Sequence, residues 1–333
     1  MSVSFDAVVG HGRIVSSLRN AISVGKVSHA YIFSGLSGSG KSLIAASFAK
    51  ALECERNMPD DGDGSCGGGG SSERCKSCRV FESGNHPDVF FVSPEGKSLG
   101  VSDIREHVIK NMETKPYQYR YKVFIIDSAH TMTPQAQNAL LKTIEEPAGY
   151  GVFLLLSEGL GSFLPTVLSR CIVYKLEPLG YDEVYGYLMA AGIGFDTARL
   201  AAVYAQGNIG RGLQLASDED FIGLRTKIFG IINRLRSADL TGIFSIAKEF
   251  DEFKDRIQEV LDIMYLCYRD ALALQAAGRR FVIQEDMPEM TGQPITGLTA
   301  IWEAKRRLRH HTNFQLTIEI MLLDLVGKRS LNE

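Results

Sequence analysis

The sequence predicts an α/β fold in its N-terminal half, a largely parallel sheet covered by helices, followed by an all-helical C-terminal half. Three observations predict it. Short apolar runs alternate with helically spaced segments from Tyr31 to Ser157, the pattern of parallel strands joined by helical crossovers. The glycine-rich loop GLSGSGKS at 35–42 joins the first apolar run to the first long helical segment. After Pro178 the period is helical throughout.

In order, Tyr31–Ser34 reads as a strand and SLIAASFAKALE as a helix, with Leu43, Phe48 and Leu52 at helical spacing. A Cys/Gly-rich insert follows at 54–78, with GGGG at 67–70. DVFFVS at 88–93 reads as a strand, with the HPD around His86 as the turn into it, and VSDIREHVIKNM at 101–112 as an amphipathic helix. Then come the strand KVFIID, the helix TPQAQNALLKTIEE, with Glu145 and Glu146 at its end before Pro147, and the strand GVFLLLS at 151–157. In the helical half, Phe253, Ile257, Val260, Leu261, Met264 and Cys267 share one face.

Bulk properties bound the class. A chain of 333 residues exceeds one typical domain, and 45% hydrophobic residues suffice for a sizeable core. A formal charge of -3 argues against a surface coated in positive charge. Asp6 and Arg13 interrupt any leader-like apolar run, and stretches such as Val152–Leu156 are too short to span a bilayer, so a soluble, cytoplasmic protein without membrane contact is expected. Four of the six cysteines crowd into 54–78, which is not a scattered disulfide framework.

GLSGSGKS fits G-x-x-x-x-G-K-[ST] at Gly35, Gly40, Lys41 and Ser42, after a strand and before a helix. Glycines, Gly38 included, let such a loop curl so that backbone N–H groups meet phosphate oxygens, and the helix N-terminus adds its positive end. ATP with Mg²⁺ is the expected ligand: Lys41 would reach the β- and γ-phosphates and Ser42 would give its hydroxyl to the metal. FIIDSAH then supplies Asp127 at the end of an apolar strand, about 85 residues after Lys41, where a Walker B aspartate approaches the Mg²⁺. The next residue, Ser128, stands where many ATPases keep a glutamate, and a hydroxyl cannot take a proton from water as a carboxylate does. Nucleotide binding is therefore expected, with the chain's own hydrolysis weak for want of a base at 128.

SFDAVVGHGRIVSSLRNAI, HAYIFSGLSGSGKS, TPQAQNALLKTIEEP and FLPTVLSRC together resemble the bacterial DNA polymerase III clamp-loader family, AAA+ proteins that open a sliding clamp and place it on primer–template DNA. The resemblance covers most of 4–178 and returns at GNIGRGLQLA (207–216) and NFQLTIEIMLLDL (313–325). It implies an AAA+ base at 1–178, a small helical lid at 179–217 and a helical collar for oligomerisation at 218–333. By the same resemblance Arg170 of SRC is an arginine finger acting in a neighbour's ATP site, Ser157 is the sensor-1 polar residue, Arg211 is the sensor-2 arginine, and Val9 and Gly10 pack the adenine. The Asp-Ser pair, SRC and a chain ending near its collar are most similar to the delta-prime subunit. The implied partners are the delta and gamma/tau subunits, the sliding clamp and primer–template DNA, in a hetero-oligomer. The alternatives are a gamma/tau-like motor, a branch-migration helicase, or a scaffold with a vestigial nucleotide site.

The resembling family also carries a four-cysteine zinc module at this point. Here eleven, eight and two residues separate Cys54, Cys66, Cys75 and Cys78. Four thiolates around Zn²⁺ make a closed structural site; free thiols or a redox pair are the alternatives. The basic run KRRLRHH at 305–311 reads as a solvated face, with neutralisation of DNA phosphates as the alternative, and Trp302 as a core or interface residue rather than a base-stacking platform.

Overall fold

The computed structural model describes residues 3–56, 75–146, 148–279, 282–284, 286–290, 292–309 and 312–327. Cys66 and the glycine run at 67–70 lie outside them. The chain forms two compact units, one of Met1–Ala191 with Gly207–Arg211, the other of Gly192–Gln206 with Gly212–Glu333.

The first unit is built on a five-stranded parallel sheet: β1 (Ala30–Ser34), β2 (Val89–Val92), β3 (Lys122–Ile126), β4 (Gly151–Ser157) and β5 (Ile172–Lys175), in the spatial order β2-β3-β4-β1-β5. Central strands of a parallel sheet are covered on both faces and so read as unbroken apolar runs. AYIFS, KVFII and GVFLLLS are accordingly buried along their whole length. Alternate residues feed two cores. Tyr31, Phe33, Val123, Ile125 and Leu154 pack with Ile44 and Phe48 of the helix Lys41–Leu52. Ile32, Phe124, Ile126, Phe153 and Leu155 pack with Ile104, Val108, Leu140 and Ile144 on the opposite face. The helical segment at 101–112 buries Ile104, Val108 and Met112 as its pattern predicts, but widens to a π-turn over Arg105–Ile109.

Register decides what the sheet presents. Ser34 of β1 pairs with Ser157 of β4, and Ile126 of β3 with Leu155. The segments following β1, β3 and β4 therefore leave the sheet side by side at its C-terminal edge, where open α/β sheets bind ligands. Gly35 donates its N–H to the Ser157 carbonyl at 3.0 Å, fixing the start of the glycine loop to the end of β4.

The second unit is helical, with helices Phe195–Ala205, Phe221–Leu235, Leu240–Glu249, Ile257–Ala277, Pro294–Arg309 and Phe314–Leu325. The face from Phe253 to Cys267 is buried as its spacing predicts, although Phe253 belongs to the 3₁₀ segment Phe250–Arg256 that precedes the helix. A polar seam runs through it: Asp270 accepts from the Gln284 N–H at 2.8 Å, and Arg225 pairs with Asp286. Trp302 is not core. The residue is 55% exposed on the helix Pro294–Arg309. Among the described residues no helix is long and apolar enough to cross a membrane.

Candidate nucleotide site and cysteine cluster

The glycine loop ends in Gly40, whose φ of +93° is a left-handed conformation, and the helix Lys41–Leu52 starts directly after it. The first N–H groups of that helix lack intrahelical acceptors and carry its positive dipole end, which is what a phosphate needs. Lys41 is almost buried and donates to the carbonyls of Gly35 at 2.7 Å and Leu36 at 2.8 Å. Burial lowers the affinity of its ammonium for the proton, against Glu158 and Asp127, which raise it. Its two carbonyl partners sit on the loop that a phosphate would approach.

A cleft of 290 Å³ is lined by Gly38, Gly40, Lys41, Ser42, Asp127 and Ser157, so the residues that the sequence singles out on three separate segments share one space. Asp127 is exposed at the end of β3 and accepts the Ser128 N–H at 2.8 Å. Ser128 itself has φ +50°, rare for a residue with a side chain. The buried Ser157 hydroxyl accepts the Gly159 N–H at 3.2 Å. Two lining residues escaped the sequence reading. Glu158 is a second carboxylate in the cleft, and its N–H donates to His130 Nδ1 at 3.4 Å. Glu158 directly follows the end of β4 and His130 lies two residues after the Asp-Ser pair, but neither belongs to a spacing rule.

Residues 208–211 complete the loop's surroundings. The Asn208 side-chain amide donates to the Ser37 carbonyl, and the Gly210 N–H donates to the Gly38 carbonyl at 3.2 Å. Asn208 Oδ1 accepts the Arg211 N–H at 3.0 Å, which sets Arg211 one residue beyond this contact. Backbone approaches backbone here: a Cβ on Gly210 would lie 2.8 Å from the Gly38 Cα. At the other end, a Cβ on Gly10 would lie 2.3 Å from the Leu179 side chain, so Val9 and Gly10 run against the segment that opens the helix Tyr181–Ala190. His11, a further residue the sequence reading missed, follows with φ +53°, and its Nε2 is buried without a hydrogen-bond partner. Burial lowers its pKa, while the Ser39 backbone, Glu183 and Glu177 oppose the shift. The loop N–H groups, a lysine and a hydroxyl beside a carboxylate are a set that fits a nucleoside triphosphate with its divalent cation.

Arg170 does not line that cleft. It follows the short helix Pro165–Leu168, pairs with Glu145 at 2.9 Å and donates to the Thr166 carbonyl at 3.1 Å.

The second constellation is sulfur. The Sγ atoms of Cys54, Cys75 and Cys78 lie within 4.8 Å of one another, with Cys54 and Cys75 3.9 Å apart. Cys75 caps the helix Lys76–Glu82 and accepts the Cys78 N–H at 3.4 Å, so the C-x-x-C turn orients two sulfurs by local geometry. The Cys54 thiol and burial push the Cys78 thiol well above the ordinary range. Three clustered soft ligands can hold a metal ion. Cys66, the expected fourth, lies outside the described residues. His86 is not part of the cluster: its Nε2 bonds the Ser77 hydroxyl at 3.1 Å and its Nδ1 accepts the Asp88 N–H at 3.3 Å, the buried turn that HPD predicts.

Comparison with known proteins adds a family. The family described as "DNA polymerase III, delta subunit" matches residues 10–180. The DNA polymerase III subunit delta' of Bacillus subtilis is 30% identical over 325 residues, covering 94% of this chain and 95% of that protein. The DNA polymerase III subunit tau of Escherichia coli is 34% identical over 181 residues, 54% of this chain and 26% of that protein. The chain thus spans nearly all of the first relative and about a quarter of the second. Among solved structures, a gamma subunit-related protein of Thermotoga maritima aligns over 94% of this chain and 99% of its own, at 20% identity and a TM-score of 0.44.

Proposed function

We infer that this chain, which belongs to the DNA polymerase III delta subunit family, works as a delta-prime-like subunit of a clamp loader in DNA replication, with an AAA+ base that binds ATP and serves a neighbour's ATPase. The single observation that carries the nucleotide half is the cleft that gathers Lys41, Ser42, Asp127 and Ser157 beneath an intact glycine loop. The near-full-length similarity to a delta' subunit supports the subunit assignment over a gamma/tau-like motor.

In this reading the base is 1–178, the lid 179–217 and the collar 218–333. Loop N–H groups and Lys41 hold the triphosphate, Ser42 and Asp127 hold Mg²⁺, Ser157 and Arg211 sense the γ-phosphate, and Val9 and Gly10 border the adenine. With serine at 128 the chain lacks the usual base, so it binds ATP and turns it over slowly. Arg170, outside its own cleft, is the group offered to the neighbour, where a fixed positive charge stabilises the transferring phosphoryl. Cys54, Cys75 and Cys78, with Cys66 as the fourth ligand, hold a structural Zn²⁺ that cross-links the insert to the end of the helix Lys41–Leu52. The partners are delta, gamma/tau, the sliding clamp and, through the complex, primer–template DNA.

Isothermal titration of the full chain with Mg-ATP tests the core of this reading. Saturable binding that Lys41→Ala abolishes is expected. No heat at millimolar ATP overturns the nucleotide half, and failure of the chain to capture delta and gamma/tau subunits overturns the clamp-loader half.

A further inference from the structure

The helix Pro294–Arg309 carries an aromatic ring and three cations in one stripe. Trp302, Lys305, Arg306 and Arg309 stand at i, i+3, i+4 and i+7, the spacing that puts residues on one helix face. They border a cleft of 370 Å³ within the second unit, together with Tyr265 and Gln206. From Trp302 to Arg309 the stripe is about 10 Å long.

The charges are organised. The Arg306 guanidinium lies 5.5 Å from the Trp302 ring centre, a cation–π contact. Lys305 is anchored by the buried carboxylate of Asp262, the one acidic residue lining the cleft among the described residues. Glu303 pairs with Arg307 at 2.7 Å and only distantly with Arg306 at 3.7 Å, which leaves Arg306 and Arg309, among the described residues, as the cations open to a ligand. A chain of formal charge -3 has no general excess of cations to spread here. The groups around the ring are guanidinium, ammonium, amide, phenol and carboxylate rather than an apolar rim. An exposed ring beside a cationic groove is instead how proteins hold unpaired strands, bases stacking on the aromatic and phosphates meeting the cations.

We propose that this face binds single-stranded nucleic acid, with a base stacked on Trp302 and phosphates on Arg306 and Arg309. The site is independent of the nucleotide cleft, so its failure and that of the ATP reading are separately read.

Trp302 is the sole tryptophan of the chain, so intrinsic emission reports on this ring alone. Titration of the full chain with oligo(dT) should quench that emission. The association constant should fall with salt at a log–log slope of about -1.4, from about 0.7 per phosphate contact and two cations. Followed by anisotropy of a labelled oligo(dT), Arg306→Ala with Arg309→Ala should weaken binding about tenfold or more, and so should Trp302→Ala through lost stacking. Because these side chains are exposed, melting temperature and Mg-ATP binding should stay unchanged. Inorganic polyphosphate, which has charge but no bases, should compete poorly. Absence of quenching at low salt overturns the proposal, as does affinity that the variants leave unaltered. Equal competition by polyphosphate overturns the stacking, and quenching only by other clamp-loader subunits reassigns the face to a protein partner.

Discussion

Arg170 and Glu145 form a 2.9 Å ion pair within the first unit, joining the turn after the helix Pro165–Leu168 to the last residue of the helix Pro134–Glu145. The guanidinium proposed to serve a neighbour is held by its own chain when alone. Both side chains are about 40% exposed (38% and 43%), so the pair contributes only about 0.2–1 kcal/mol. Handing the arginine to a phosphate therefore costs less than about fivefold. Glu145→Gln should change the clamp- and DNA-stimulated ATPase of the assembled loader by no more than that. Arg170→Ala should leave this chain's ATP binding intact and lower stimulated hydrolysis much further, since such arginines are worth on the order of a thousandfold at one site. Unchanged stimulated hydrolysis with a lowered melting temperature would reduce Arg170 to its ion pair with Glu145.

The contact between Gly210 and Gly38 predicts a tight steric limit. A methyl group at 210 would press the Gly38 backbone at 2.8 Å, and backbone cannot swing aside as a flexible side chain does. Gly210→Ala should push residues 208–211 off the glycine loop, weaken Mg-ATP binding about tenfold and cost about 1–3 kcal/mol of stability. Unchanged ATP affinity in calorimetry would mean that this turn does not shape the site.

Ser128→Ala should leave the slow turnover of the isolated chain unaltered, because the hydroxyl is not the base. Ser128→Glu should raise it about a hundredfold or more, the low end of what general bases contribute. Single-turnover hydrolysis of labelled ATP measures both. A fall with Ser128→Ala would give the hydroxyl a role, and no rise with Ser128→Glu would move the missing function elsewhere, Glu158 being the other carboxylate of the cleft.

Thiol chemistry separates the cysteines. Burial pushes the Cys171 and Cys267 thiols up to about 12, so at pH 8 only about one in ten thousand is thiolate. Neither should react with a thiol reagent in the folded chain. Between about 9 and 12 the folded state keeps protons that the unfolded state releases, so stability should fall as pH rises through that window. Protein purified without chelator should contain about one zinc, and Cys75→Ser or Cys78→Ser should release it and lower the melting temperature. Metal-free protein that melts at the same temperature would leave the three thiols as an uncharged buried cluster.

Local chemistry made much of this molecule legible. An unbroken apolar run such as GVFLLLS has one common solution, a strand buried on both faces, and its observed bounds agree with its pattern. GLSGSGKS announces a phosphate loop because curling, donors and a helix start are all encoded within eight neighbouring residues. The C-x-x-C turn likewise fixes Cys75 against Cys78 locally.

Long-range geometry was decided only by tertiary structure. The pairing of Ser34 with Ser157 brings Glu158 to the loop, and no spacing rule links positions so far apart in the chain. Asn208 and Gly210 reach Ser37 and Gly38 across about 170 residues, a contact that depends on how the helices between them close. Trp302 shows the limit from the other side. Its apolar surface favours burial, but helix phase and the packing of its neighbours left the ring exposed beside cations, and a one-dimensional pattern records the residue type without recording which face is already covered. Residue type and near-neighbour spacing thus determined the elements and the loop chemistry, while sheet register and helix packing determined which of those tips meet.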